Sequence, residues 1–156
     1  MWTQIFWIQL VTSMLCSIGF SIVFRLRVRY LAWVAIGGGL TFFLYYVIHS
    51  AFSSVFAAAF LATAFSAVFS EVCARIKQAP AALFSLPCVM PIVPGGSLYR
   101  SMYYLISKKS DMAWHYFWET LAIAIGIAGG IAMISLIMNL VTACKRQWIK
   151  QKKANG

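Results

Sequence analysis

A chain of 156 residues that is 62% hydrophobic and 10% charged is not an ordinary soluble domain, where about a quarter of residues are charged. Its apolar residues come in runs long enough to cross a bilayer, so the composition describes an all-α polytopic membrane protein with almost nothing left over for a soluble domain. The net charge of +10 does not point to nucleic acid, because the basic residues cluster at the ends of the apolar runs, where they orient membrane segments and meet anionic lipid headgroups.

Five membrane segments are predicted in chain order, each long enough for a hydrocarbon layer of about 30 Å. The first covers about 2–24 and ends at Arg25-Leu26-Arg27-Val28-Arg29. It has no basic leading region and its apolar run exceeds that of a signal peptide, so it is expected to be retained. The second covers about 31–48, with Gly37-Gly38-Gly39 as a flexible stretch and a polar turn at His49-Ser50. The third covers about 51–70. Ala58, Ala62 and Ser66 recur there every four residues, as do Ala59, Thr63 and Ala67. The fourth covers about 81–106, and the fifth about 114–143, with Gly126 and Gly130 four apart. Such small-residue faces let helices approach closely, within one chain or between two. Residues 1–144 are thus expected to form a five-helix transmembrane domain, followed by a basic cytoplasmic tail, 145–156.

An outside N-terminus puts ten Lys and Arg residues on the inner side against Lys108 and Lys109 outside. This bias predicts N-terminus out and C-terminus in, in a cell (inner) membrane. The tryptophans at 2, 7, 114, 118 and 148 suit interface anchors. Cys16, Cys73, Cys88 and Cys144 have no CxxC spacing and no histidine cluster beside them, so no metal or cofactor is expected. No hydrolase motif or phosphate loop is present, and an enzyme is not expected.

The fourth segment carries the functional argument. Pro87, Pro91, Pro94, Gly95 and Gly96 interrupt it. Proline removes an N–H and clashes with the preceding turn, while glycine reaches conformations that other residues avoid. A break at Pro94-Gly95-Gly96 is expected near mid-membrane, with half-helices over Ala81–Val93 and Ser97–Ile106. Ser97 is the expected N-cap, with free N–H groups at Gly95, Gly96 and Ser97. Arg100 follows one turn later. Backbone donors, the positive end of a helix dipole and a guanidinium together suit a carboxylate. The alternative is that Arg100 pairs with Glu119 or reaches outward, and that the prolines only kink a packing helix. Glu119, with His115 four residues before it on the same helical face, is a candidate for proton coupling or for a structural pair.

From Met90 through Arg100 the sequence resembles the threonine/serine exporter family. The shared pattern is proline, apolar residues, Pro-Gly, a small residue, an apolar residue and tyrosine, often followed by arginine. Segment layout and length are similar to the family's small, membrane-only subunit, of which a succinate-exporter subunit is one example. The resemblance implies a larger partner subunit with a cytoplasmic domain and five membrane segments. The two would form an inverted pair exporting a small amino acid or a dicarboxylate, driven by the proton gradient. Pro94, Gly95, Gly96, Ser97, Tyr99 and Arg100 are the expected substrate-binding residues. The rival expectations are a structural or regulatory subunit without substrate contacts, and a homo-oligomeric channel.

Overall fold

The computed structural model describes the backbone of residues 2–154 and the side-chain surroundings of 6–142 and 144. The side chains of Trp2, Trp148 and the tail charges expected after Ala143 lie outside the described residues. The described chain is helical throughout: α1 (Trp2–Val23), α2 (Val28–Phe52), α3 (Val55–Lys77), α4 (Ala82–Val89), a 3-10 turn (Met90–Ile92), α5 (Gly95–Ile106) and α6 (Ser110–Ala154). Among the described residues four helices are long and apolar enough to cross a membrane, and five crossings result if α4, the 3-10 turn and α5 count as one bent span.

Several boundaries differ from expectation. Helix α2 runs past His49 and Ser50 to Phe52, and the turn falls on Ser53-Ser54. Ser54 caps α3 by accepting from the Ala57 N–H at 3.4 Å. Helix α3 continues beyond Ser70 to Lys77, and the α6 backbone stays helical through most of the expected tail. Polarity marks where a helix leaves hydrocarbon, whereas backbone bonding carries it further.

Four ends close with a left-handed residue that is not glycine: Arg25, Ser53, Gln78 and Lys108. At the first, Arg25 N–H bonds Ile22 O and Leu26 N–H bonds Ser21 O, both at 2.9 Å, so the loop wraps back over the last open carbonyls.

The bundle is held by small residues. Helix α1 meets α2 where Ser17 faces Gly38 and Met14 faces Gly39. Helix α2 meets α3 and α4 at Gly37, where an added Cβ would stand 2.6 Å from both Cys88 Sγ and a Phe69 ring carbon. The glycine triplet is therefore a close-packing patch in mid-helix, buried at all three residues, and not a flexible stretch. Several buried hydroxyls do not compete with this packing, because they bond within their own helices: Ser21 donates to Ser17 O at 2.7 Å and Thr63 to Ala59 O at 2.6 Å.

Helices α3 and α6 run parallel. Gly126 rests on Phe56 and Ala59, and Gly130 on Phe60, Thr63 and Ala64. Both small-residue faces seen in the sequence are thus spent inside the chain. A methyl group on Gly130 would lie 2.7 Å from the Phe60 carbonyl, whereas one on Gly19 meets nothing within 4 Å. Gly130→Ala is expected to destabilise the bundle by about 1–3 kcal/mol. Gly19→Ala is expected to stabilise it by about 0.5–1 kcal/mol through helix entropy alone. Thermal unfolding of the two purified variants in one detergent checks the opposite signs.

Candidate functional site

The break in the bent span begins with proline chemistry. Pro91 falls in the 3-10 turn, and Val93 N–H bonds Met90 O at 3.1 Å. Pro94, at φ −78° and ψ 52°, sits at the centre of an inverse γ-turn that Gly95 N–H closes onto Val93 O at 2.7 Å. Helix α5 then starts at Gly95 with its first bond, Leu98 N–H to Pro94 O, at 3.1 Å. Its axis is turned 47° from the preceding half.

Three expectations change here. The N-cap is Pro94 and not Ser97. The γ-turn consumes the Gly95 donor, so two N–H groups, those of Gly96 and Ser97, remain at the helix start. No glycine among the described residues adopts a positive φ, so Gly95 and Gly96 are not serving a left-handed conformation. Both lie on the surface, and a Cβ at either would meet nothing within 4 Å. Their small size leaves the backbone donors uncovered.

Ser97, in the first turn of α5, points at α6 and donates to Glu119 Oε1 at 3.2 Å. Ser101, one turn later, donates to the Ala113 carbonyl at 3.2 Å. These two bonds set the register of α5 on α6. Glu119 is half-buried, and Tyr45 of α2 lies within Coulombic range of it. Arg100 does not pair with Glu119. Its guanidinium lies 5.6 Å from the Tyr116 ring centre, and Tyr116 stacks on Tyr104 at 5.6 Å. This is a cation–π seat on an aromatic shelf, and among the described residues no hydrogen-bond acceptor engages the guanidinium N–H donors. Tyr99 is 71% exposed on the same helix. His115 is exposed and meets the edge of Tyr116 and not Glu119.

The structure thus brings together Pro94 to Ser97, Glu119 and, on the flank, Arg100, while Tyr99 and His115 face away from this group. The sequence reading missed two neighbours. One is Tyr116, the seat for Arg100. The other is a polar cleft on the α1 side of the break, a cavity of about 310 Å³ lined by Gln9, Thr12, Ser13, Cys16, Phe42, Met90 and Pro91. The signal for the cleft was present in the helical spacing of residues 9, 12, 13 and 16.

This architecture is that of a multi-pass membrane protein in which one apolar helix pair is bent at a proline break. A family model described as threonine/serine exporter, ThrE, matches residues 9–137, from α1 through the break and into α6. The chain belongs to the threonine/serine exporter family, and its role is transport of the exporter type. Among curated proteins and solved structures, none matches the chain.

The open donors have a direct consequence. In Pro94→Ala the restored amide can bond Met90 O, the turn can regularise, and Gly96 and Ser97 gain helical acceptors. Hydrogen–deuterium exchange is expected to show Gly96 and Ser97 exchanging faster than Leu98 and its successors in the wild type, and becoming protected in Pro94→Ala.

Proposed function

We propose that this chain is one half of a secondary exporter for a small carboxylate, an amino acid such as threonine or serine or a dicarboxylate such as succinate. It works with a larger subunit that supplies the facing wall. The observation that carries this reading is the pair of uncovered Gly96 and Ser97 amides at the break, one turn from a guanidinium without a carboxylate partner among the described residues. Backbone donors at a helix N-terminus beside an arginine are complementary to a carboxylate. Hydrocarbon offers such donors nothing, so they suit a watery path or a partner.

Gly95, Gly96, Tyr99 and Arg100 are all on the outer surface of the chain. A substrate held there is enclosed on one side only, which favours a two-part transporter over a chain that works alone. Alternating access would expose the break to each side of the cell membrane in turn. Glu119, bonded to Ser97, is the group placed to exchange a proton as the site empties. His115, which meets Tyr116 and not Glu119, lies apart from that exchange. The basic residues Arg25, Arg27, Arg29, Arg75 and Lys77 gather where the α1–α2 and α3–α4 turns meet, and under the positive-inside bias this is the cytoplasmic end.

The test is efflux of labelled threonine, serine and succinate from cells expressing this chain with and without a large-subunit gene. Export of one compound only when both are present is expected. Arg100→Ala is expected to cut that export more than about tenfold, as loss of a charge-assisted contact would, with the protein still in the membrane. Wild-type export by Arg100→Ala removes Arg100 from the site. Strong periplasmic activity of alkaline phosphatase fused after Gly156 overturns the orientation.

A further inference from the structure

At the end of the bundle where the α1–α2 turn meets the α3–α4 turn there is a cavity of about 340 Å³. Arg25, Arg27 and Gln78 line its polar side, and Leu26, Tyr30 and Leu83 its apolar side. Tyr30 is anchored edge-on to the ring of Phe84, at 5.4 Å, and Phe84 is fully buried in the core. Arg25 and Gln78 instead sit at the left-handed residues that end α1 and α3, where the chain leaves the apolar bundle.

The charges at this end are unbalanced. Arg75 takes the nearby acid, Glu71, at 3.3 Å, and Lys77 lies 5.0 Å over the Trp33 ring. Asp111 and Glu119 belong to the first turns of α6, beside the α2–α3 turn at the opposite end. Among the described residues neither Arg25 nor Arg27 has a carboxylate partner. Two guanidiniums therefore share a cavity with an apolar floor, at the level where helices give way to water.

We propose that this cavity binds the phosphodiester headgroup of an anionic membrane lipid. A guanidinium matches phosphate oxygens with two parallel hydrogen bonds. Gln78 adds an amide donor, and Leu26 and Leu83 offer apolar surface to the glycerol and the first methylenes of the acyl chains. Inorganic phosphate would engage only the polar half, so the apolar floor is what selects a lipid. The proposal rests on the membrane location of the chain and is independent of what it exports.

The experiment measures binding of acyl-labelled phosphatidylglycerol to the purified full-length chain in a neutral detergent, with phosphatidylcholine and inorganic phosphate as competitors. Saturable binding is expected that phosphatidylcholine does not displace and that phosphate displaces only at far higher concentration. Arg25→Asn, which suits the left-handed backbone, and Arg27→Gln are each expected to weaken binding more than tenfold. Arg29→Gln removes an equal charge outside the cavity and is expected to cost no more than the roughly fivefold of diffuse attraction. Equal losses in all three variants would make the effect general surface charge and overturn the proposal. Phosphate competing as well as the lipid would overturn the lipid assignment. If a neutral variant fails to fold, Arg27→Lys against Arg29→Lys decides, because only a cavity contact needs the guanidinium fork.

Discussion

Everything in this chain depends on where its backbone hydrogen bonds go. A helix in hydrocarbon has no solvent partner for an open donor, so α1, α2, α3 and the spanning part of α6 keep their bonding unbroken. The bent span departs from that rule through proline. Pro91 tightens the helix into a 3-10 turn, and Pro94 cannot supply the N–H that would continue it. The γ-turn recovers one donor and leaves two. The 47° bend also moves the chain between neighbours: α4 packs among α1, α2 and α3, whereas α5 packs on α6. A structural discontinuity and a chemical opportunity are thus the same few atoms.

The intact helices can hold such a break because their own packing is tight. Without a hydrophobic drive between apolar helices in lipid, close approach depends on small side chains. Gly37 makes room for Cys88 and Phe69 just below the break, and Gly126 and Gly130 bring α6 onto the α3 backbone just beside it. Ile92 is then pinned between Ala59, Ala62 and Ile123, so the residue before the γ-turn is fixed on three sides while Gly95 and Gly96 stay open. The break is thus rigid on the side packed in the bundle and uncovered on the other.

Polar side chains divide between two duties. Ser17, Ser21, Thr41 and Thr63 bond carbonyls of their own helices and so behave as small packing residues, whereas the buried Ser66 and Ser70 of α3 have no hydrogen-bond partner among the described residues. Ser97 and Ser101 reach across to α6 and lock the second half-helix in place. The charges are likewise sorted by position. Acids on α6 lie near the break and the α5–α6 turn, while most bases with described surroundings crowd the opposite end.

The amino-acid sequence by itself determined the helical membrane class, the family, the approximate segments and the location of the break, because hydropathy and proline act locally and need no neighbours. It could not tell whether Gly37-Gly38-Gly39 was hinge or contact, since a glycine is the same residue in either role and only Cys88, Phe69, Ser17 and Met14 arriving beside it decide. It could not choose the partner of Glu119 or of Arg100, because Ser97 and Tyr116 become neighbours only when α5 folds back on α6. Tertiary structure also decided that the Gly126 and Gly130 face is used within the chain. Interactions set by one helix were legible in advance; those requiring two helices in register were not, because register follows from side-chain packing that no local pattern encodes.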